Sequence, residues 1–110
     1  MDRGHRILKH QEFSEILSKC PFEKATHFVI HHRPNEAGKL RVGINVGKRN
    51  GNAVTRNRIK RQVRAFVCEN FDLKKSLDLV IVVRQTYNPS LFQEAGEELK
   101  ALWALIGERH

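Results

Sequence analysis

The run Asp78-Leu79-Val80-Ile81-Val82-Val83-Arg84 holds five apolar residues in a row, and no other stretch constrains the fold as much. Successive side chains of a strand point to opposite faces, so a strand with nothing polar on either side has to be covered on both. Such a strand is expected in the middle of a sheet, with a layer above it and a layer below. The rest of the chain has to supply those layers and the neighbouring strands.

The spacing of Phe13, Ile16, Leu17 and Cys20 predicts a short amphipathic helix from about His10 to Lys19. Thr26 to Arg33 (THFVIHHR) is rich in β-branched and aromatic residues and runs into the turn cluster Pro34-Asn35-Glu36-Ala37-Gly38. From Leu40 to Val46 the pattern alternates, with Leu40, Val42, Ile44 and Val46 on one side and Arg41, Gly43 and Asn45 on the other. These two runs are expected to pair antiparallel with one face buried. Asn50-Gly51-Asn52 reads as a turn and cap, so a second helix is predicted to start near Asn52 or Ala53, with Ile59, Val63, Phe66, Val67 and Asn70 as its core stripe. A last helix opens at Asn88-Pro89-Ser90, where Ser90 and Gln93 have capping-box spacing. Its stripe is Leu91, Ala95, Leu99, Leu102, Trp103 and Ile106. The order is α-β-β-α-β-α, with room for a further short strand between Pro21 and Ala25. That is an α+β sandwich whose second helix joins two strands that run parallel if they are adjacent. With 110 residues, no repeat and no linker, residues 1–110 are expected to form one domain.

The charge is unevenly placed. Twenty Lys and Arg face twelve Asp and Glu, yet residues 38–67 hold nine of the bases and no acid: Lys39, Arg41, Lys48, Arg49, Arg56, Arg58, Lys60, Arg61 and Arg64. The remainder is therefore close to neutral, and the whole excess is a local footprint that calls for a polyanionic partner. On the second helix Asn57, Arg61 and Arg64 fall opposite the apolar stripe, Arg58 and Lys60 flank it, and Arg56 sits beside it with only its stem able to lie flat. A merely solvated face carries mixed signs, because like charges three or four residues apart weaken a helix. Here Lys60/Arg64, Arg58/Arg61 and Arg61/Arg64 are all like-charged pairs. Arginine suits bidentate phosphate recognition, Asn52 and Asn57 add neutral donors, and a helix N-terminus adds free N–H groups. Duplex DNA, structured RNA and an anionic membrane all satisfy this reading of the charge.

Other chemistry is sparse. Cys20 and Cys68 stand far apart with no zinc-like spacing and read as small buried or half-buried apolar residues in a reducing compartment, with a disulfide or metal site as the lesser alternative. The N-terminal MDRGHRILKH has no apolar core and no run reaches membrane-spanning length, so a cytoplasmic location is expected. The acids are scattered: Glu12 and Glu15, then Glu69 and Asp72, then Glu94, Glu97 and Glu98 on the last helix, where Glu94 and Glu98 read as solvated. His31 and His32 point to opposite faces, and no third ligand accompanies His27 and His31. No catalytic residue and no metal site is expected in the chain itself.

The residues Val42-Gly43-Ile44-Asn45-Val46-Gly47-Lys48-Arg49, then Asn52-Ala53-Val54 and Arg56-Asn57-Arg58-Ile59-Lys60-Arg61, closely resemble the bacterial ribonuclease P protein family with its R-N-R-x-K-R signature. Arg6-Ile7-Leu8-Lys9 before Glu12-Phe13, the strand Phe28 to His31, Asp78 to Arg84, and Leu99 to Trp103 extend the similarity through nearly the whole chain. Departures are local: Gly47 where a Ser is common, Ala65 where Glu or Gln is frequent, Phe66 one position early, and a short segment before Thr26. The resemblance implies an αβββαβα fold with a left-handed crossover, against the usual right-handed preference. It also implies a protein subunit that assists a large catalytic RNA. The RNA uses bound magnesium to hydrolyse one phosphodiester bond and release the 5′ leader of precursor tRNA. On this view Lys48, Arg49, Asn52, Arg56, Asn57, Arg58, Lys60, Arg61 and Arg64 face the catalytic RNA, and no DNA or membrane partner is expected. A cleft between the first helix and the sheet would hold the single-stranded leader, with Phe13, Leu17 and His31 in it. Phe13 and Leu17 are equally readable as plain core, and His31 taken alone favours a plain structural role. Two rival readings are a non-catalytic RNA-binding module, such as a ribosomal protein or RNA chaperone, and a membrane-surface or calmodulin-binding helix.

Overall fold

A computed structural model of the chain describes residues 3–7 and 9–110; Met1, Asp2 and Leu8, the last of these one residue of the Arg6–Lys9 opening, lie outside them. The elements are α1 (His10–Lys19), β1 (Phe22–Lys24), β2 (Phe28–Pro34), β3 (Arg41–Val46), α2 (Ala53–Asn70), β4 (Leu77–Val83) and α3 (Phe92–Arg109), in the order αβββαβα. The short strand β1 occupies the stretch after Pro21. The four strands form one mixed sheet in the order β1-β2-β4-β3. β2 runs antiparallel to β4, with Ile30 opposite Ile81, and β3 runs parallel to β4, with Ile44 also opposite Ile81.

This order corrects one expectation. β2 and β3 do not pair with each other, because β4 lies between them. A strand apolar on both faces would waste its cover and half its backbone hydrogen bonds at an edge, and between two strands both ladders close. The β2–β3 connection accordingly turns toward the segment before β4: Asn35 N donates to Ser76 O at 3.0 Å and Leu40 N to Leu73 O at 2.9 Å. Gly38 takes φ +70 in this connection, a conformation that costs glycine little.

The alternation of β4 explains its composition. Leu79, Ile81 and Val83 enter the main core with Phe28 and Ile30 of β2, Val42 and Val46 of β3, Ile59, Val63 and Val67 of α2, and Ala95, Leu99, Leu102 and Ile106 of α3. Phe71 and Trp103 close one end of this layer as a stacked pair, ring centroids 4.4 Å apart. Val80 and Val82 point the other way, into a smaller cluster with Ile7, Phe13, Ile16, Leu17 and Cys20 under α1. Two helices therefore cover most of one face, and the ten residues of α1 cover only part of the other.

Several local readings change. Asn70 is exposed and donates from Nδ2 to Phe66 O at 3.0 Å rather than joining the core stripe. The last helix is preceded by a 3-10 turn at Pro89–Leu91, capped by Asn88, whose side chain accepts from Ser90 N at 3.0 Å; the Ser90–Gln93 box does not form. Glu98 is half-buried, accepts from His27 N at 2.9 Å and lies 3.6 Å from His27 Nε2, so it is not a solvated residue.

Candidate nucleic-acid interface

The cationic helix begins where a left-handed residue permits it. After a 3-10 turn at Lys48–Asn50, Gly51 takes φ +127, and a Cβ there would lie 3.0 Å from Thr55. Asn52 then caps α2 by accepting from Thr55 N at 2.9 Å. Asn50 braces the turn from behind, its Nδ2 donating to Arg84 O at 2.9 Å. Two further residues that the sequence did not single out hold α2 in place: buried Tyr87 donates its hydroxyl to Gln62 Oε1 at 2.7 Å, and Gln62 Nε2 donates to Pro89 O at 3.3 Å. Burial pushes the Tyr87 phenol up to about 12, with the nearby charge of Arg58 pulling the other way, so it remains a donor.

On this frame Lys48, Arg49, Asn52, Asn57, Arg58 and Arg61 are exposed, and Arg56, Lys60 and Arg64 are half-buried. Among the described residues no carboxylate lies within 4.0 Å of the charged atoms of Lys48, Arg49, Arg56, Arg58, Lys60, Arg61 or Arg64. Arg64 is held below the usual arginine range by burial and by the neighbouring charge of Arg6. Arg56 is half-buried, and its Nε is buried without a hydrogen-bond partner. Asn52 commits its Oδ1 to the cap and keeps only its amide N–H groups for another partner. Val54, 75% exposed, adds an apolar spot to the same face. The stripe itself is spent on the main core through Ile59, Val63 and Val67, so this helix has no free apolar side for a bilayer or calmodulin, and among the described residues no helix is long and apolar enough to cross a membrane.

Not every base of the acid-free block belongs to this face. Arg41 lies on the α1 side of β3, where Asp78 and Glu12 neutralise it and hold its guanidinium above its usual value. Its neutralising partner Asp78 is 37 residues away in sequence, beyond the reach of any local pattern.

Because α1 leaves one end of its sheet face bare, a groove runs along it. Two hollows that share Asn45 make it up: one is lined by Ile7, Phe13 and Leu17, the other by Lys48, Arg49 and Arg84. Phe13 and Leu17 are half-buried. Each packs on the small cluster and also presents an edge to the groove. The Phe13 ring sits close against the strand because residue 43 is glycine: a Cβ there would be 2.5 Å from Phe13 Cε2. His31 does not line this groove. Its Nδ1 donates to the Cys20 carbonyl at 3.3 Å and its ring tilts against Phe22 at 5.2 Å, past the C-terminal end of α1.

Among the described residues no three His, Cys, Asp or Glu side chains are arranged to hold a metal ion. Glu12, Glu15 and Asp78 do converge, but on the guanidiniums of Arg33 and Arg41. Cys20 and Cys68 are free and half-buried.

The family model described as Ribonuclease P matches residues 1–107. The chain belongs to the ribonuclease P protein family. It is 42% identical to the ribonuclease P protein component of Mesoplasma florum over 98 residues, covering 87% of this chain and 89% of that one. It is 35% identical to the component of Bacillus pumilus over 106 residues, 94% of this chain and 88% of the relative. Its fold is also similar to the solved ribonuclease P protein of Staphylococcus aureus, with a TM-score of 0.83, 27% identity, and coverage of 93% and 94% of the two chains. The ribonuclease P protein of Thermotoga maritima shares the fold with a TM-score of 0.71. The four-stranded mixed sheet with three helices is thus the ribonuclease P protein fold.

Proposed function

We propose that this chain is the protein subunit of a ribonucleoprotein ribonuclease P, in which the α2 face docks on the catalytic RNA and the groove beside α1 receives the single-stranded 5′ leader of precursor tRNA. The observation that carries the reading is the seven-base ridge from Lys48 to Arg64, unpaired with any described carboxylate and continuous, through Lys48 and Arg49, with the cationic end of the groove. Phosphates of a folded RNA meet the ridge; a strand leaving it can place its backbone on Lys48, Arg49 and Arg84 and a base against Phe13. Magnesium supplies a hydrolytic nucleophile and charge neutralisation at the scissile phosphate. The three carboxylates that converge, Glu12, Glu15 and Asp78, do so on Arg33 and Arg41, and in this reading the ion would be held mainly by the RNA while the protein binds and orients.

Reconstitution tests this. The protein added to the cognate ribonuclease P RNA at low magnesium should restore removal of the 5′ leader; no stimulation, or cleavage by the protein without RNA, would refute the assignment. Within that holoenzyme, Phe13→Ala should lower affinity for leader-bearing precursor by roughly tenfold, the loss expected from removing one aromatic–base stack. Affinity for mature tRNA should not change. An equal loss for both RNAs would make Phe13 a core residue only.

A further inference from the structure

We propose that Glu12 is a positioning residue for the groove: through Arg41, itself clamped by buried Asp78, it fixes where α1 sits and hence where Phe13 stands. The inference rests on the reading of the groove as the leader site.

The seat of α1 is weak by other means. The helix has ten residues, no side-chain hydrogen bond caps its N-terminus at Lys9, and Ile16 is its one buried residue. A helix this short is marginal unless its surroundings hold it. The polar side of its seat is built more strongly. Asp78, 1% exposed, accepts from Arg41 Nε at 2.9 Å and Nη2 at 3.0 Å, from Arg33 Nε at 3.0 Å and from Asn35 Nδ2 at 2.9 Å. So held, Arg41 presents Nη2 to Glu12 Oε2 at 2.7 Å. The looser contacts of Arg33 with Glu12 and Glu15, both 3.8 Å, add attraction without fixing direction.

Consecutive residues of α1 thus grip one strand side by side. Glu12 holds Arg41, and Phe13 lies on Gly43, two residues further along the same face of β3. The ring contact cannot set its own register, because a glycine offers no Cβ to stop the ring from sliding. The charge-assisted hydrogen bond one residue away is directional and can. Without it, α1 is free to roll about Ile16, and the groove wall moves with it.

The experiment is a double-mutant cycle in the reconstituted holoenzyme, reading the ratio of affinities for leader-bearing precursor and mature tRNA. Glu12→Ala should reduce that ratio roughly fivefold, in the range of couplings between contacting residues. Glu12→Gln, which keeps an acceptor for Arg41, should recover part of it. In a Phe13→Ala background Glu12→Ala should change nothing further, because its effect passes through the ring. Affinity for the catalytic RNA alone, set by α2, should be unchanged and serves as the check on folding. An undiminished ratio in Glu12→Ala, or a full additional loss on top of Phe13→Ala, would overturn the positioning role. If Phe13→Ala itself leaves the ratio intact, the groove reading fails instead, so the two failures are distinguishable.

Discussion

Replacing Arg58 and Arg61 together with alanine is expected to weaken binding of ribonuclease P RNA on the order of tenfold per side chain, the worth of a hydrogen bond to a charged group. The slope of log affinity against log salt should fall by roughly two, one for each phosphate no longer neutralised. Both side chains are exposed and lie away from the buried stripe of α2. The fold should not suffer. As a like-charged pair three residues apart they repel, so their removal should leave the melting temperature unchanged or raise it slightly. Binding titrations at several salt concentrations decide the matter, and an unaltered slope would mean the RNA meets a different face.

The second large effect concerns stability. Asp78→Asn removes the charge on which Arg33 and Arg41 converge. Breaking one partner out of a buried ionic cluster costs about 3–5 kcal/mol. Glu12 and Glu15 still offset part of the two freed charges, which points to the lower end. A loss of about 3 kcal/mol lowers the melting temperature of a domain this size by more than about 10 °C. The pH dependence has a definite sign. Burial alone would raise the Asp78 carboxyl, but hydrogen bonds from Arg41, Asn35 and Arg33 outweigh it and hold the group below the usual carboxylate range. Its folded value therefore lies under its unfolded one. The stabilisation is complete above the unfolded value and is lost as pH falls through the folded value. Thermal melts of the native chain should show this acid loss, and Asp78→Asn should lack that component of it. Matching acid limbs in the two proteins would remove Asp78 from the account.

What could be read from the residues follows from the range of the interactions involved. Local periodicity defined α1 from His10 to Lys19, the start of α2 at Asn52 and Ala53, and the two-sided burial of β4. Each depends on neighbours within a turn or two. The insertion of β4 between β2 and β3 was not legible, because strand order is decided by partners 37 to 55 residues apart. For the same reason Arg41 counted as free charge until Asp78 appeared beside it, and Glu98 as solvated until His27 did. The Ser90–Gln93 box lost to Asn88, a nearer side chain able to accept from the same backbone. The cationic ridge was legible because one helix carries most of it. The groove followed from the family resemblance alone and not from any residue pattern, since it is the part of a sheet face that a short helix fails to cover; His31, placed in it by the same resemblance, lies outside it.

The central place of β4 also orders events in time. When synthesis has delivered the chain as far as Asn70, neither β2 nor β3 has met the strand that satisfies its inner edge, and only the β1–β2 hairpin can close. Contacts between such distant segments form late. The ridge-bearing helix therefore emerges before β4, Arg84 and Tyr87, which brace it from behind, and the cationic ridge and the groove gain their common backing only once residues 77–87 are in place.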